Sequence, residues 1–287
     1  MIEEKIEKNI NLAPLTTFKI GGPAKYFCRV KTEEDLIQAV KWAKKKKIPY
    51  FIIGGGSNLL ISDKGFKGLV IKLSMKQCQL TENNLLLGSS LMLSQMVRFS
   101  LKNNLTGLEW ATGIPGTVGG AVRGNAGAFG QEISDSLLKA TVLRGGKIIE
   151  LKNKEIKFAY RQSIFKKNKD IILNVVLGLK KGNKQENKKI VEDILQRRKK
   201  VHPFQPSAGC VFKNPKPKGA GLLIDQCGLK GKQIGGAKIS EKHANFIINT
   251  GQAKARDVKN LIELIKKQVK NKFNIELKEE IEYLGEF

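Results

Sequence analysis

The sequence predicts an α+β protein with an N-terminal cofactor-binding module and a C-terminal lobe, and three observations carry that reading. Two glycine-rich stretches, Gly54-Gly55-Gly56-Ser57-Asn58-Leu59-Leu60 and Gly113-Ile114-Pro115-Gly116-Thr117-Val118-Gly119-Gly120-Ala121, lie about sixty residues apart. Each brings bare backbone N–H groups within reach of an anion, because glycine lets the backbone approach closely and turn with positive φ. Strand and helix patterns alternate around both loops, and His202-Pro203-Phe204-Gln205-Pro206 breaks the chain before a last α+β segment. Two such loops in one chain point to a large phosphate-bearing cofactor.

The elements follow in order. Thr16 to Ile20 predicts a strand ending in the Gly21-Gly22 turn. Thr32 is placed to cap a helix with Glu33, Glu34 and Asp35 in its first turn and Leu36, Val40 and Ala43 as its buried stripe. Ile48 to Ile53 reads as a buried strand entering the first glycine loop. A dinucleotide fold of the G-x-G-x-x-G type needs a helix after those glycines. Here Leu59-Leu60-Ile61 and Lys67 to Leu73 give a short apolar run, a turn and a strand, so that reading fails and a strand–loop–strand nest takes its place. An amphipathic helix near Leu91 to Asn103 precedes the second glycine stretch. That stretch holds seven glycines in the eighteen residues from Gly113 to Gly130, together with Ile114, Val118, Val122 and Phe129. A flexible linker would be rich in serine and polar residues, so a folded loop wrapping a ligand is expected. Strands near 138–151 and 170–179, a basic helix at 184–200, a helix near 221–227, a strand near 245–248, a long helix at 253–273 and a last strand at 277–284 complete the chain.

Composition narrows the classes. With 287 residues, 41% hydrophobic content and a mean hydropathy of −0.26, the chain reads as soluble with ample core. No apolar run reaches the roughly 18 residues of a membrane helix. No secretory pattern opens the sequence, so a cytoplasmic protein without membrane insertion is expected. Four cysteines without C-x-x-C spacing and two histidines argue against a structural metal. The net charge of +26 raises the alternative of a nucleic-acid-binding protein. Its basic runs (Lys44 to Lys47, Lys166-Lys167, Lys188-Lys189, Arg197 to Lys200, Lys266-Lys267) are spread over the whole length, which fits solvated helix faces better than one binding face. Such a field also helps collect a multiply anionic small substrate.

The two glycine loops resemble those of the para-cresol methylhydroxylase or vanillyl-alcohol oxidase type of FAD-binding module, in which the pyrophosphate lies between a smaller and a larger α+β lobe. Six stretches then narrow the match: Thr17 to Ala24, Gly54 to Leu60, Gly113 to Ala121 with Asn125-Ala126-Gly127-Ala128, Tyr160-Arg161-Gln162-Ser163, Ser207 to Pro215 and Ser240 to Phe246. On these, from about residue 12 to 285, the chain resembles the UDP-N-acetylenolpyruvoylglucosamine reductase family of bacterial cell-wall precursor synthesis, in its shorter subtype. The resemblance implies a module at 1–187, with lobes of about 1–75 and 76–187. It also implies a substrate-binding domain at 200–287 whose last strand, 277–285, is able to pack back on the first lobe. It implies non-covalent FAD, since both histidines, His202 and His243, fall beyond the module. An FAD-dependent oxidase or dehydrogenase of the same fold is the alternative within flavoproteins.

By the same resemblance, FAD contacts fall on Gly54, Gly55, Gly56, Ser57, Asn58 and Leu59, and on Ile114, Pro115, Gly116, Thr117, Gly119 and Gly120. NADPH reduces the FAD, and the flavin passes hydride to the methylene carbon of the enolpyruvyl ether. The resulting enolate is protonated at the neighbouring carbon to give UDP-N-acetylmuramate. Arg161 matches the family's arginine, whose fork a lysine cannot reproduce, and Glu280 its carboxyl group, with Glu279 or Glu282 reached by a register slip. Cys210 stands where many relatives have serine. A free cysteine is commonly just a small buried apolar residue, yet a thiol, with pKa about 8.5 in model peptides, is a stronger acid than a hydroxyl and fits the proton donor. Ser207 is the nearby alternative. Tyr160, Lys213 and Asn214 are expected to touch the UDP-linked substrate. Glu282 stands where many relatives carry arginine. A monomer is expected.

Overall fold

The structure, a computed structural model, describes residues 2–82 and 84–287. The fold is mixed α and β, and compactness divides it into two units: Met1–Lys5, Cys28–Gly55 and Ile71–Arg198 form one, Ile6–Phe27, Gly56–Val70 and Lys199–Phe287 the other. This division differs from the expected boundaries, because residues 6–27 and 56–70 group with the C-terminal segment. The reason lies in the apolar side chains. Phe18, Ile20 and Leu60 belong to one buried core with Val211, Phe212, Leu261 and Ile265.

In the first unit, helix Glu33–Lys45 begins at Thr32, whose hydroxyl accepts the Asp35 N–H at 3.1 Å. Acids in the first turn and Lys44 and Lys45 in the last complement the helix dipole. The helix buries Leu36, Ala39, Val40 and Ala43 and leads to strand Tyr50–Ile53. Five antiparallel strands form this unit's main sheet, in the order Lys147–Lys152, Leu137–Arg144, Ile171–Gly178, Asn84–Gly88 and Cys78–Thr81. Helix Leu93–Lys102 and the short helix Val118–Gly124 deliver Leu93, Met96, Val97, Val118 and Val122 to a core that also holds Trp110 and Phe165. Each large apolar side chain buried there stabilises the fold by about 1.5–3 kcal/mol.

The second glycine stretch is therefore not loop throughout. Three glycines within Val118–Gly124 lower helix propensity. Burial of Val118, Ala121 and Val122 at i, i+3 and i+4, together with a cap from the Thr117 hydroxyl to the Gly120 N–H (3.3 Å), overrides that cost.

In the second unit, four antiparallel strands run in the order Ser207–Cys210, Phe246–Asn249, Ala237–Ile239 and Gln233–Ile234. Helix Ala255–Phe273 buries Val258, Leu261, Ile262, Ile265 and Val269 along one stripe. The strand expected at 16–20 does not form. Thr16 closes a turn back to Ala13, and Lys19 adopts φ 58° with its N–H on the Thr16 hydroxyl. The Asn249 side chain bonds the Phe18 carbonyl (3.1 Å), so tertiary partners fix a bent backbone where β propensity favoured an extended one. The last strand is shorter than expected: only Glu282–Leu284 forms a ladder, parallel to Leu59–Ile61.

Asp63 ties this unit together. Its carboxylate accepts the Ala255 N–H at 2.8 Å and the Arg256 N–H at 3.1 Å, two donors that the first turn of a helix leaves unpaired. Asp63→Ala is expected to cost about 1–2 kcal/mol, read as a lower midpoint in urea unfolding with an unchanged m-value. No change in midpoint would show that the cap contributes nothing net.

Candidate active site

The first two glycines of the first loop meet the second loop within the first unit. Strand Tyr50–Ile53 runs into Gly54 and Gly55, and these glycines lie against the second loop. A Cβ on Gly54 would stand 2.7 Å from the Thr117 hydroxyl, and one on Gly55 2.9 Å from the Gly116 Cα. Two bare backbones pressed together in this way make a cradle that any side chain would fill. That is the requirement for a diphosphate held by main-chain N–H groups, so the residues present fit FAD. A cation that the motifs did not single out also reaches this point: Lys72 Nζ donates to the Gly54 carbonyl at 2.7 Å.

Helix Val118–Gly124 ends at Asn125, fully buried and left-handed at φ 45°. Its side-chain amide donates to Glu132 Oε1 (2.7 Å) and to the Ala159 carbonyl (3.2 Å), and its Oδ1 accepts the Ser134 N–H. Ala159 and Gln162 exchange backbone bonds across a tight turn with Tyr160 and Arg161 at its corner, and Arg161 has φ 55°. Its guanidinium donates to the Gly127 carbonyl at 2.7 Å and to the Asn125 carbonyl at 3.4 Å, and lies 5.2 Å from the centre of the exposed Tyr160 ring. The end of the second glycine stretch thus positions the expected arginine.

The second unit assembles the other expected residues through its backbone. Ser207 pairs with Ile248 and Cys210 with Phe246, so the Cys210 strand carries one extra residue. Gly209, at φ 76°, makes that bulge, and Cys210 follows it half-buried. Asn245, buried, holds the next residues: its side chain takes both the N–H (2.9 Å) and the carbonyl (2.8 Å) of Phe212. The Glu280 N–H donates to the Val211 carbonyl at 2.7 Å, the Lys213 N–H to the Lys278 carbonyl at 2.9 Å, and the Asn58 amide to the Glu280 carbonyl at 3.0 Å. Asn58, Cys210, Lys213 and Glu280 come from three distant stretches and share one place. Asn214 uses its Oδ1 on the Ala220 N–H, at the start of helix Ala220–Gln226.

The two neighbouring acids of Glu280 differ in surroundings. Burial alone raises the pKa of Glu279, but the Tyr283 hydroxyl and the Lys266 ammonium (3.0 Å) outweigh it and hold the carboxyl below the usual range. Glu279 is an ionised structural group. Glu282 donates its N–H to the Asn58 carbonyl at 2.9 Å. Among the described residues, no three His, Cys, Asp or Glu side chains gather as a metal site, and no helix is long and apolar enough to cross a membrane.

Residues 24–152 match the model of an FAD binding domain, and residues 200–284 match that of the C-terminal domain of UDP-N-acetylenolpyruvoylglucosamine reductase. The reductase of Caldanaerobacter subterraneus subsp. tengcongensis is 46% identical over 99% of this chain and 95% of its own length. The chain belongs to the UDP-N-acetylenolpyruvoylglucosamine reductase family. The Clostridium novyi reductase is 43% identical over 99% of this chain and 94% of its own length. The crystal structure of the reductase from Thermus caldophilus superposes with a TM-score of 0.86 at 36% identity, covering 98% of this chain and 99% of that one. The activity is that of the family, an FAD-dependent reduction in peptidoglycan precursor synthesis, and the α+β fold joins an FAD-binding domain to the reductase C-terminal domain.

The cradle gives a direct check. In Gly55→Ala the new methyl group meets the Gly116 Cα, backbone against backbone, and the two loops must part. The purified variant is expected to carry flavin at less than about a tenth of the wild-type ratio, since losing even one good contact to a charged group costs about 1.5–3 kcal/mol. A full flavin complement, read from absorbance per chain, would remove this loop from the FAD site.

Proposed function

We propose that this reductase uses NADPH and non-covalent FAD to convert the enolpyruvyl ether of UDP-N-acetylglucosamine into UDP-N-acetylmuramate, with Arg161, Cys210 and Glu280 as its catalytic residues. FAD, when bound, carries the reducing equivalents of NADPH to the substrate's methylene carbon. The chain's own residues supply the rest. The Arg161 fork pairs with the substrate carboxylate as charge develops on it. The Cys210 thiol gives its proton to the carbon beside that carboxylate, and the Glu280 carboxyl shares a proton with the enol oxygen. Tyr160, Lys213 and Asn214 line the sugar nucleotide. The FAD contacts are the expected set, Gly54 to Leu59 with Ile114 to Thr117, Gly119 and Gly120.

The observation that carries this reading is the backbone pairing of Glu280 with Val211, one residue after Cys210. It sets the thiol and the carboxyl on neighbouring segments, while Glu279 is occupied by Lys266 and Tyr283. The substrate-binding part is the segment 200–287, the protein acts as a cytoplasmic monomer, and its net charge of +26 gathers the UDP-bearing substrate.

The test is anaerobic stopped-flow absorbance. NADPH bleaches the flavin band, and the enolpyruvyl substrate then restores it in a separate phase. Bleaching without restoration would point to another acceptor, as in an oxidase of the same fold. No bound flavin in purified protein would defeat the reading outright.

A further inference from the structure

Lys72 lies on strand Phe66–Leu73 between Ile71 and Leu73, both buried, and is itself half-buried. Alternation along a strand sends its side chain to the face opposite theirs. There its ammonium donates to the carbonyl of Gly54, the first glycine of the cradle. A lysine is an expensive tie for one carbonyl. It loses hydration and side-chain freedom to make a bond that water would make as well. Its surroundings add to the cost: burial, with Arg29 and Lys76 nearby, lowers its pKa from the ordinary lysine value. Like charges gathered beside a backbone built for an anion are offset when that anion arrives.

The bond also fixes a direction. The Lys216–Pro217 bond is the cis peptide of the described residues, so the Gly54–Gly55 peptide is trans, with its C=O and N–H pointing opposite ways. A carbonyl turned toward Lys72 sends the Gly55 N–H away from it. The same ammonium polarises that peptide and strengthens the N–H as a donor. The neighbours leave little freedom to turn otherwise, since Gly54 and Gly55 abut Thr117 and Gly116.

From this geometry we infer that Lys72 is a positioning residue for the cofactor: by holding the Gly54 carbonyl it aims and polarises the Gly55 N–H toward the diphosphate of FAD. The inference rests on the FAD site at these loops and adds a residue to it. Apoprotein is titrated with FAD, following quenching of flavin fluorescence, for wild type, Lys72→Met and Lys72→Arg, and the melting temperature of each apoprotein is recorded. Lys72→Met keeps the stem and loses the donor, so its Kd for FAD is expected to rise about tenfold or more, equivalent to about 1.4 kcal/mol. The melting temperature of the apoprotein should hold. Lys72→Arg, which keeps charge and donor, is expected to stay within about threefold of wild type. A Lys72→Met Kd within about threefold of wild type overturns the inference. Equal losses in Lys72→Arg and Lys72→Met, or a loss matched by a lower melting temperature, overturn it as well, because they reduce Lys72 to a structural tie. Wild-type apoprotein that takes up no FAD would instead defeat the FAD site itself.

Discussion

Cys210→Ala leaves reduction of the flavin by NADPH near the wild-type rate and lowers turnover by about 10²- to 10⁴-fold, the range for losing a general acid. On the proposed mechanism the two half-reactions separate, because the proton is needed only after the flavin has been reduced. The strand tolerates the change. Cys210 is a small, half-buried side chain, and its register comes from backbone pairing with Phe246 and from Asn245 gripping Phe212. Cys210→Ser restores much of the rate, since a hydroxyl fills the same position. A thiol reagent inactivates the wild type, with substrate protecting it, and leaves Cys210→Ser untouched. Turnover of Cys210→Ala within about tenfold of wild type would move the donor elsewhere. Ser207 would then be the candidate, since its hydroxyl accepts the Gly209 N–H at 3.5 Å and keeps its own proton to give.

The second large effect falls on Arg161. Arg161→Lys lowers kcat for the flavin-to-substrate half-reaction by about 10²-fold or more, as expected for a group that acts on developing charge. Two carbonyls, those of Gly127 and Asn125, hold the guanidinium in plane. A lysine ammonium cannot take both and still present a flat pair of donors to a carboxylate. The turn should survive, since Lys and Arg pay similarly for the left-handed backbone at φ 55°. Asn125→Ala, which frees the Ala159 carbonyl and unfixes the turn, should weaken the same half-reaction while NADPH still bleaches the flavin. An Arg161→Lys effect confined to KM would reduce Arg161 to a ground-state anchor.

Local chemistry made the helices legible. Thr32 with its three following acids, the stripe of the helix at 255–273 and the amphipathic helix after Leu91 all carry their signals within a turn or two. The backbone between Thr16 and Gly22 did not, because its partners Gly56, Ser207 and Asn249 lie far along the chain. Helix Val118–Gly124 hid behind its glycines. The glycine motifs marked two backbones that the structure presses together, and the family motifs pointed to Arg161 and Cys210 as candidates. Lys72 left no trace, since nothing in a strand lysine foretells a carbonyl 18 residues away. Asn125 and Asn245 sat inside quoted motifs, yet only the structure gives each a task.

The core of the second unit joins the beginning of the chain to its end. Thr17 bonds Ser207, Phe18 bonds Asn249, and Asp63 caps a helix that starts at residue 255, spans of 190, 231 and 192 residues. A ribosome therefore releases Phe18, Ile20 and Leu60 long before the segments that cover them exist. At about 5–20 residues per second, that interval is roughly ten seconds or more. Contacts of such separation close slowly, because loop entropy is lost before burial repays it. These apolar residues are made well before the segments that shelter them, so in the cell the core of this unit waits on synthesis of the segment from Val211 to Ile265. A chain cut near His202 leaves those side chains without a core.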